Sequence, residues 1–148
     1  MLDFLHNRVI QFQGNILGFE QLNEFVIQIV EENGPYAYLQ STEDEHIGFL
    51  VAAPFAFYSD YAFEIDDSDR NHLQLNAPDD AAVVAIVTIQ EPFESSTMNL
   101  LAPIVINVKT SQGKQIVLPP KTTYSTKEAL FRTPIQEKEE TASANSDT

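Results

Sequence analysis

The chain has 148 residues, 43% of them hydrophobic, no cysteine, and a formal net charge of −14. That length suits one domain around a single core. The lack of cysteine excludes disulfides and thiolate chemistry, and the acidity opposes direct contact with nucleic-acid phosphates. The first residues show no basic region followed by an apolar one, and no apolar run approaches the roughly 20 residues of a membrane span. A soluble, cytoplasmic protein with no membrane partner is expected. The charge is also lopsided. Seventeen of the 22 acids but only Arg8 and Arg70 of the eight bases precede residue 97, which leaves that stretch at −15 and the rest at +1. Such a field repels RNA and attracts a basic protein, although the same acids also serve solubility.

In chain order, Arg8 to Phe12 alternates as a first strand, and Gly14 and Gly18 supply turn conformations closed to other residues. Their spacing lacks both the lysine of a phosphate-binding loop and the third glycine of a dinucleotide fingerprint. Glu24 to Val30 reads as a strand, Glu31 to Pro35 as a turn carrying the hairpin signal Asn33-Gly34, and Tyr36 to Gln40 as the returning strand. The acidic loop Ser41 to Glu45 leads to a strand over Ile47 to Val51, which Pro54 ends. Phe55, Phe57, Tyr58, Tyr61 and Phe63 then form an aromatic cluster suited to core packing. Base stacking on these rings is opposed by Asp60, Glu64, Asp66 and Asp67. Asp66 to Leu75 suits a short helix capped by Ser68 or Asp69. Ala81 to Ile89 is apolar on both faces and rich in β-branched residues, hence a buried strand.

Between Asn99 and Asn107 lies an uncharged run of seven residues, Leu100 to Ile106. Ile104-Val105-Ile106 favours a strand, while Pro103, lacking an N–H, belongs at an edge, a strand start or a bulge. The reading is an interrupted core strand. Val108 to Lys114 turns, Gln115 to Leu118 returns as a hairpin partner, and Pro119-Pro120 stops it. Tyr124 to Phe131 is left as either a short helix or a last strand. Residues 136–148 contain no large apolar side chain and are expected to be a disordered polar tail. The pattern as a whole predicts an all-β, mainly antiparallel fold: one compact barrel-like domain over residues 1–135, with one or two short helices.

No catalytic constellation is visible. His6, His46 and His72 are far apart and lack metal-ligand spacing. Asp67-Ser68-Asp69-Arg70-Asn71 imitates the start of a calcium loop, but His72 and Pro78 stand where glycine and glutamate are required. Acid pairs such as Asp66/Asp67 and Asp79/Asp80 lie in loops, with no sign of the desolvation that acid–base catalysis needs. A carboxylate-based metal-binding or hydrolytic domain therefore remains the alternative from another class, with no motif behind it.

Several segments in order do carry a resemblance. They are Leu17-Gly18-Phe19-Glu20, Leu39-Gln40-Ser41, Phe49-x-Val51-x-x-Pro54, Asp60-Tyr61-x-Phe63-Glu64, and above all Thr97-x-Asn99-Leu100-Leu101-Ala102-Pro103-Ile104-Val105-Ile106-Asn107. With these the chain resembles the flagellar assembly factor FliW family from about Gly14 to Leu130. It departs at Leu17, Ala62 and Met98, where proline, an acid and alanine are usual. The resemblance implies a barrel-like protein without enzymatic activity or cofactor. It further implies binding to flagellin and to the RNA-binding translational regulator CsrA, whose release from flagellin mRNA couples translation to export. The expected binding surface comprises Asp60, Tyr61, Glu64, Asp66 and Asp67, together with an open edge near Asn99, Pro103 and Asn107 that suits strand addition.

Overall fold

The computed structural model describes residues 1–131 of the chain. Four strands with apolar residues at alternating or continuous positions form an antiparallel meander: β1 (Arg8–Gln11), β2 (Glu24–Ile29), β3 (Tyr36–Ser41) and β4 (Gly48–Ala52). The turn between β2 and β3 is tied by Gly34 N–H donating to Glu31 O at 2.9 Å. Asn33, at φ 62°, takes the left-handed position in it. Gly14 and Gly18 do adopt positive φ, 80° and 86°. A Cβ on Gly14 would stand 2.7 Å from Glu20 O, so that turn needs glycine twice over.

β4 gives way at Pro54 to a 3-10 turn, Pro54–Ala56. The expected helix is the six-residue α1 (Asp67–His72). Its cap is Asp66 rather than Ser68 or Asp69: Asp66 keeps extended geometry and its Oδ1 accepts the Asp69 N–H at 2.8 Å. That satisfies one of the orphan donors of the first turn. A 3-10 turn, Pro78–Asp80, then leads into the long strand β5 (Ala81–Thr88).

β5 organises everything that follows. It pairs antiparallel with β4, with β6 (Thr97–Met98) and with β7 (Ile104–Asn107). β7 in turn pairs with β8 (Gly113–Gln115), and β6 with β9 (Glu128–Ala129). The fold is thus mainly antiparallel β, as expected, but the sheet does not close into a barrel. Its path ends at β1 and β9, and only an isolated bridge, Gln11 to Gln112, links β1 to the β7–β8 hairpin. The expected tail over 136–148 lies outside the described residues.

Both faces of β5 are buried, as its sequence implies. Ala82 and Val84 join Ile104 and Ile106 of β7 in the main core, with Phe12, Phe25, Ile27 and Leu39 from the meander. Ala85 and Val87 face a second core containing Met98, Leu100 and Tyr61. Val105, on the opposite face of β7 from its isoleucine neighbours, packs with Leu73, Leu75, Ile116 and Leu118 in a third. Each fully buried leucine or isoleucine contributes about 1.5–3 kcal/mol, and β7 feeds two cores from four residues.

Candidate functional site

Residues 99–103 are not strand. Ile104 stands opposite Val84 and Met98 opposite Val87, so five residues span a length that β5 covers with two. This excess is the interruption that Pro103 foreshadows. The backbone of this largely buried loop is satisfied from several directions. Asn99 N–H donates to Ile86 O, and the Leu100 and Leu101 N–H groups donate to Ser125 O. Ala102 N–H donates to Asn99 Oδ1 at 2.9 Å. The carbonyls of Leu101 and Pro103 accept from Leu118 and Ile116 N–H, and that of Ala102 accepts from Gln115 Nε2. Buried polar groups left unpaired would each cost about 1–3 kcal/mol, and here they are paired.

Two of the expected binding segments meet at this loop. Tyr61, only 3% exposed, donates its hydroxyl to Leu100 O at 2.8 Å. Its ring makes an edge contact with Tyr124 at 4.7 Å. Burial, and next the neighbouring Tyr124, hold the Tyr61 phenol well above its ordinary pKa. Asn107, 1% exposed, uses its whole side chain internally. Nδ2 donates to Leu73 O at 2.7 Å and Gln74 O at 3.2 Å. Oδ1 accepts from Lys109 N–H at 2.8 Å and Thr110 N–H at 3.1 Å. Pro103 is buried and Asn99 half-buried. The open edge expected there does not exist, because β7 has β5 on one side and β8 on the other.

The acids lie differently. Asp60, Glu64, Asp66 and Asp67 are all exposed. Asp66 caps α1, and Asp67 pairs with Arg70 Nη1 at 3.3 Å. Next to this acidic segment is a surface groove of about 690 Å³, with Phe55, Phe63, Ile65, Leu75, Pro78 and Val83 among its lining residues. A second groove, of about 410 Å³, runs between the N-terminal turn and β5, from Met1 and Phe4 to Ala53, Ala56 and Ala82. Phe55, Ala81 and Val83 line both. The sequence signalled Phe55 and Phe63 as packing aromatics and missed the groove. The pointer to it was Pro54, directly after an apolar strand.

Other titratable groups serve the fold. Asp80 is buried; Lys109 Nζ reaches it at 2.9 Å, and the Asn76 and Ala77 N–H groups each donate to Oδ2 at 3.0 Å. The Lys109 hydrogen bond first, and then the backbone donors, hold its carboxyl below the usual range. Glu43 Oε1 accepts the Asn23 and Glu24 N–H groups, and Asp44 Oδ1 that of His46. His6 Nδ1 accepts the Ile29 N–H, while His72 Nε2 lies 3.3 Å from Asn15 Nδ2. Among the described residues, no three or more His, Cys, Asp or Glu side chains are grouped to hold a metal. None of the helices there is long and apolar enough to cross a membrane.

Residues 1–130 match the family model described as FliW protein. A relative from Bacillus licheniformis is 41% identical over 112 residues, covering 76% of this chain and 78% of its own. One from Oceanobacillus iheyensis is 38% identical over 138 residues, covering 93% of each. One from Bacillus subtilis is 38% identical over 129 residues, covering 87% and 90%. All three are named flagellar assembly factor FliW. A crystal structure of the flagellar assembly factor FliW superposes with a TM-score of 0.78 at 36% identity, covering 85% of this chain and 87% of that one. The chain belongs to the FliW family of flagellar assembly factors.

Proposed function

We propose that this protein is a non-enzymatic cytoplasmic regulator that binds flagellin and, when flagellin is scarce, binds and antagonises a CsrA-type translational regulator. Family membership supports the flagellar setting. The observation that carries the regulatory half is the exposed acidic segment with Asp60, Glu64, Asp66 and Asp67, on a stretch of chain at −15 before residue 97. A protein that binds RNA presents positive surface. An acidic partner docked on or beside that surface gains Coulomb attraction and repels RNA phosphates, so it need not occupy the RNA site itself. The protein touches neither nucleic acid nor membrane directly.

The test is calorimetry with purified flagellin and with a purified CsrA-type regulator. Saturable binding to both is expected, and raising salt from 50 to 300 mM should weaken the second complex by about tenfold or more, because exposed charges are screened over about 10 Å at 0.1 M. Binding to neither protein would sink the proposal. Salt-independent binding of the regulator would refute the charge mechanism alone. The carboxylate-based metal or hydrolytic reading has no observation in its favour.

A further inference from the structure

β5 is flanked along nearly its whole length on one side only. On that side β7 covers Ala81 to Val84, and β6 covers Val87 and Thr88. On the other side β4 reaches only Ile86 and Ala85, opposite Val51 and Ala52. Val108 N–H donates to Asp80 O at 2.8 Å, which makes Ala81 and Asn107 a non-hydrogen-bonded pair. Ala82 and Val84 therefore exchange bonds with β7, while Ala81 and Val83 direct theirs the opposite way. The Ala81 N–H turns back onto Pro78 O. The Ala81 carbonyl and both backbone groups of Val83 have no strand partner among the described residues.

The cause is Pro54. Continuing the β4 register sets residue 54 opposite Val83, and proline has no N–H to give. Its carbonyl is already committed to the 3-10 turn, accepting from Phe57 N–H at 3.1 Å and Tyr58 N–H at 2.9 Å. Val9 of β1 also faces outward, but neither groove reaches it, and other outward ladder groups are taken. Gln11 N–H of β1 is taken by Ser111 O, and the Ala129 carbonyl of β9 by the Tyr58 hydroxyl at 2.6 Å.

We propose that this half-edge of β5 takes an extended segment of a partner protein, with apolar side chains at alternate positions and lysine or arginine on either flank. Such a segment would add as a strand beside Ala81 to Val83. The unpaired backbone groups ask for an extended chain. Both grooves are lined by Ala81 and Val83, and the smaller also by Ala82, whose side chain leaves the opposite face of the strand, so an added strand finds apolar surface for the side chains of both its faces. The flanks call for bases: Asp60, Glu64, Asp66, Asp67 and Asp79 are exposed around the larger groove. Arg70, the one base lining it among the described residues, is engaged with Asp67 and with Ile65 O.

The test is amide exchange and chemical shift by NMR on the full chain, with the synthetic peptide Lys-Lys-Val-Thr-Val-Lys-Lys as probe. In the free protein the Val83 amide should exchange on the order of a hundredfold faster than its ladder-bonded neighbours Ala82 and Val84. Millimolar peptide should slow it by about tenfold or more, and a counterpart with glutamate for every lysine should bind about tenfold more weakly. Val83→Pro, which takes away the outward N–H, should abolish the chemical-shift changes that the peptide causes at the neighbouring Ala82 and Val84 amides; if that variant does not fold, the wild-type readouts decide. A Val83 amide already protected in dilute free protein overturns the proposal, because the chain itself then covers the edge. Protection that grows with protein concentration alone overturns it in favour of a second copy, and so does a peptide that leaves Val83 unchanged. None of these outcomes depends on flagellin or CsrA, so failure here is distinct from failure of the proposed function.

Discussion

Asn107→Ala separates a structural strut from a binding contact at the end of the run from Asn99 to Asn107. The side chain makes four internal hydrogen bonds, of which the one to Leu73 O is buried and the others are partly so. Stranding the buried carbonyl costs about 1–3 kcal/mol, and losing the three half-buried bonds, where water offers partial replacement, costs about 0.5–1 kcal/mol each. The sum, about 2.5–6 kcal/mol, is a large part of the roughly 5–15 kcal/mol that holds a domain of this size. The reason for so large an effect is topological. Asn107 ties the end of β7 both to its own turn at Lys109 and Thr110 and to the segment after α1, where Gln74 sits at φ 58°.

Asn107→Asp sharpens the test. It keeps the acceptor for Lys109 and Thr110 but turns a carboxylate toward the Leu73 and Gln74 carbonyls. At neutral pH it should destabilise at least as much as alanine. The neutral carboxyl donates one bond, so its folded-state pKa is raised, the native state holds the proton longer than the unfolded state, and stability recovers as pH falls. Urea unfolding followed by circular dichroism between pH 4 and 8 reads both effects. An alanine variant within about 0.5 kcal/mol of wild type would refute the strut. So would a variant that keeps full stability but loses partner binding, which would make Asn107 a contact residue.

Three further perturbations probe other parts of the scaffold. Tyr61→Phe removes the buried bond to Leu100 O and should cost about 1–3 kcal/mol by urea unfolding. Because the folded-state phenol is raised above its unfolded value, wild-type stability should fall as pH climbs above about 10, and Tyr61→Phe should flatten that alkaline limb. The Asp80 carboxyl is depressed in the folded state, so its stabilising contribution is present above the unfolded pKa near 4 and is lost as pH drops through the folded one. Asp80→Asn should therefore give a shallower loss of stability on acidification, measured as thermal midpoint against pH. Gly113→Ala places a methyl group 2.6 Å from Phe12 Cε1 and 3.0 Å from Ile10 Cγ2, both fully buried side chains. Overpacking there should cost about 1–3 kcal/mol in urea unfolding, and an unchanged midpoint would show that the core gives way.

Strand content was legible from residue order because burial on one face imposes a period of two and burial on both faces imposes an unbroken apolar run. Arg8–Gln11, Glu24–Ile29, Tyr36–Ser41 and Ala81–Thr88 all fall within a residue or two of their expected spans. Closure was not legible, since whether β1 meets β9 depends on twist and on which strands share β5. The cap of α1 was missed by two or three residues because Asp66, Asp67, Ser68 and Asp69 are all good N-caps. Only backbone geometry picks the one whose φ and ψ, −72° and 168°, leave the helix.

The proline arithmetic is the more instructive case. An X-Pro after apolar residues implies a ladder position without a donor, and both Pro54 and Pro103 carry that signal. At Pro103 the fold absorbs it: the residue sits in the excess loop before β7, its carbonyl accepts from Ile116 N–H, and β8 covers that flank. At Pro54 a 3-10 turn follows, and no strand among the described residues pairs with Val83 on that side. The chain turns away, and Val83 is left with an N–H and a carbonyl beside two apolar grooves, the larger with acids around it. What differs is the sequence that comes after each proline. Pro103 precedes Ile104-Val105-Ile106, which returns at once to the sheet, whereas Pro54 precedes aromatics that pack into the second core and draw the chain off the β4 line. Strand addition therefore belongs at the proline that ends a strand and not at the one that begins it.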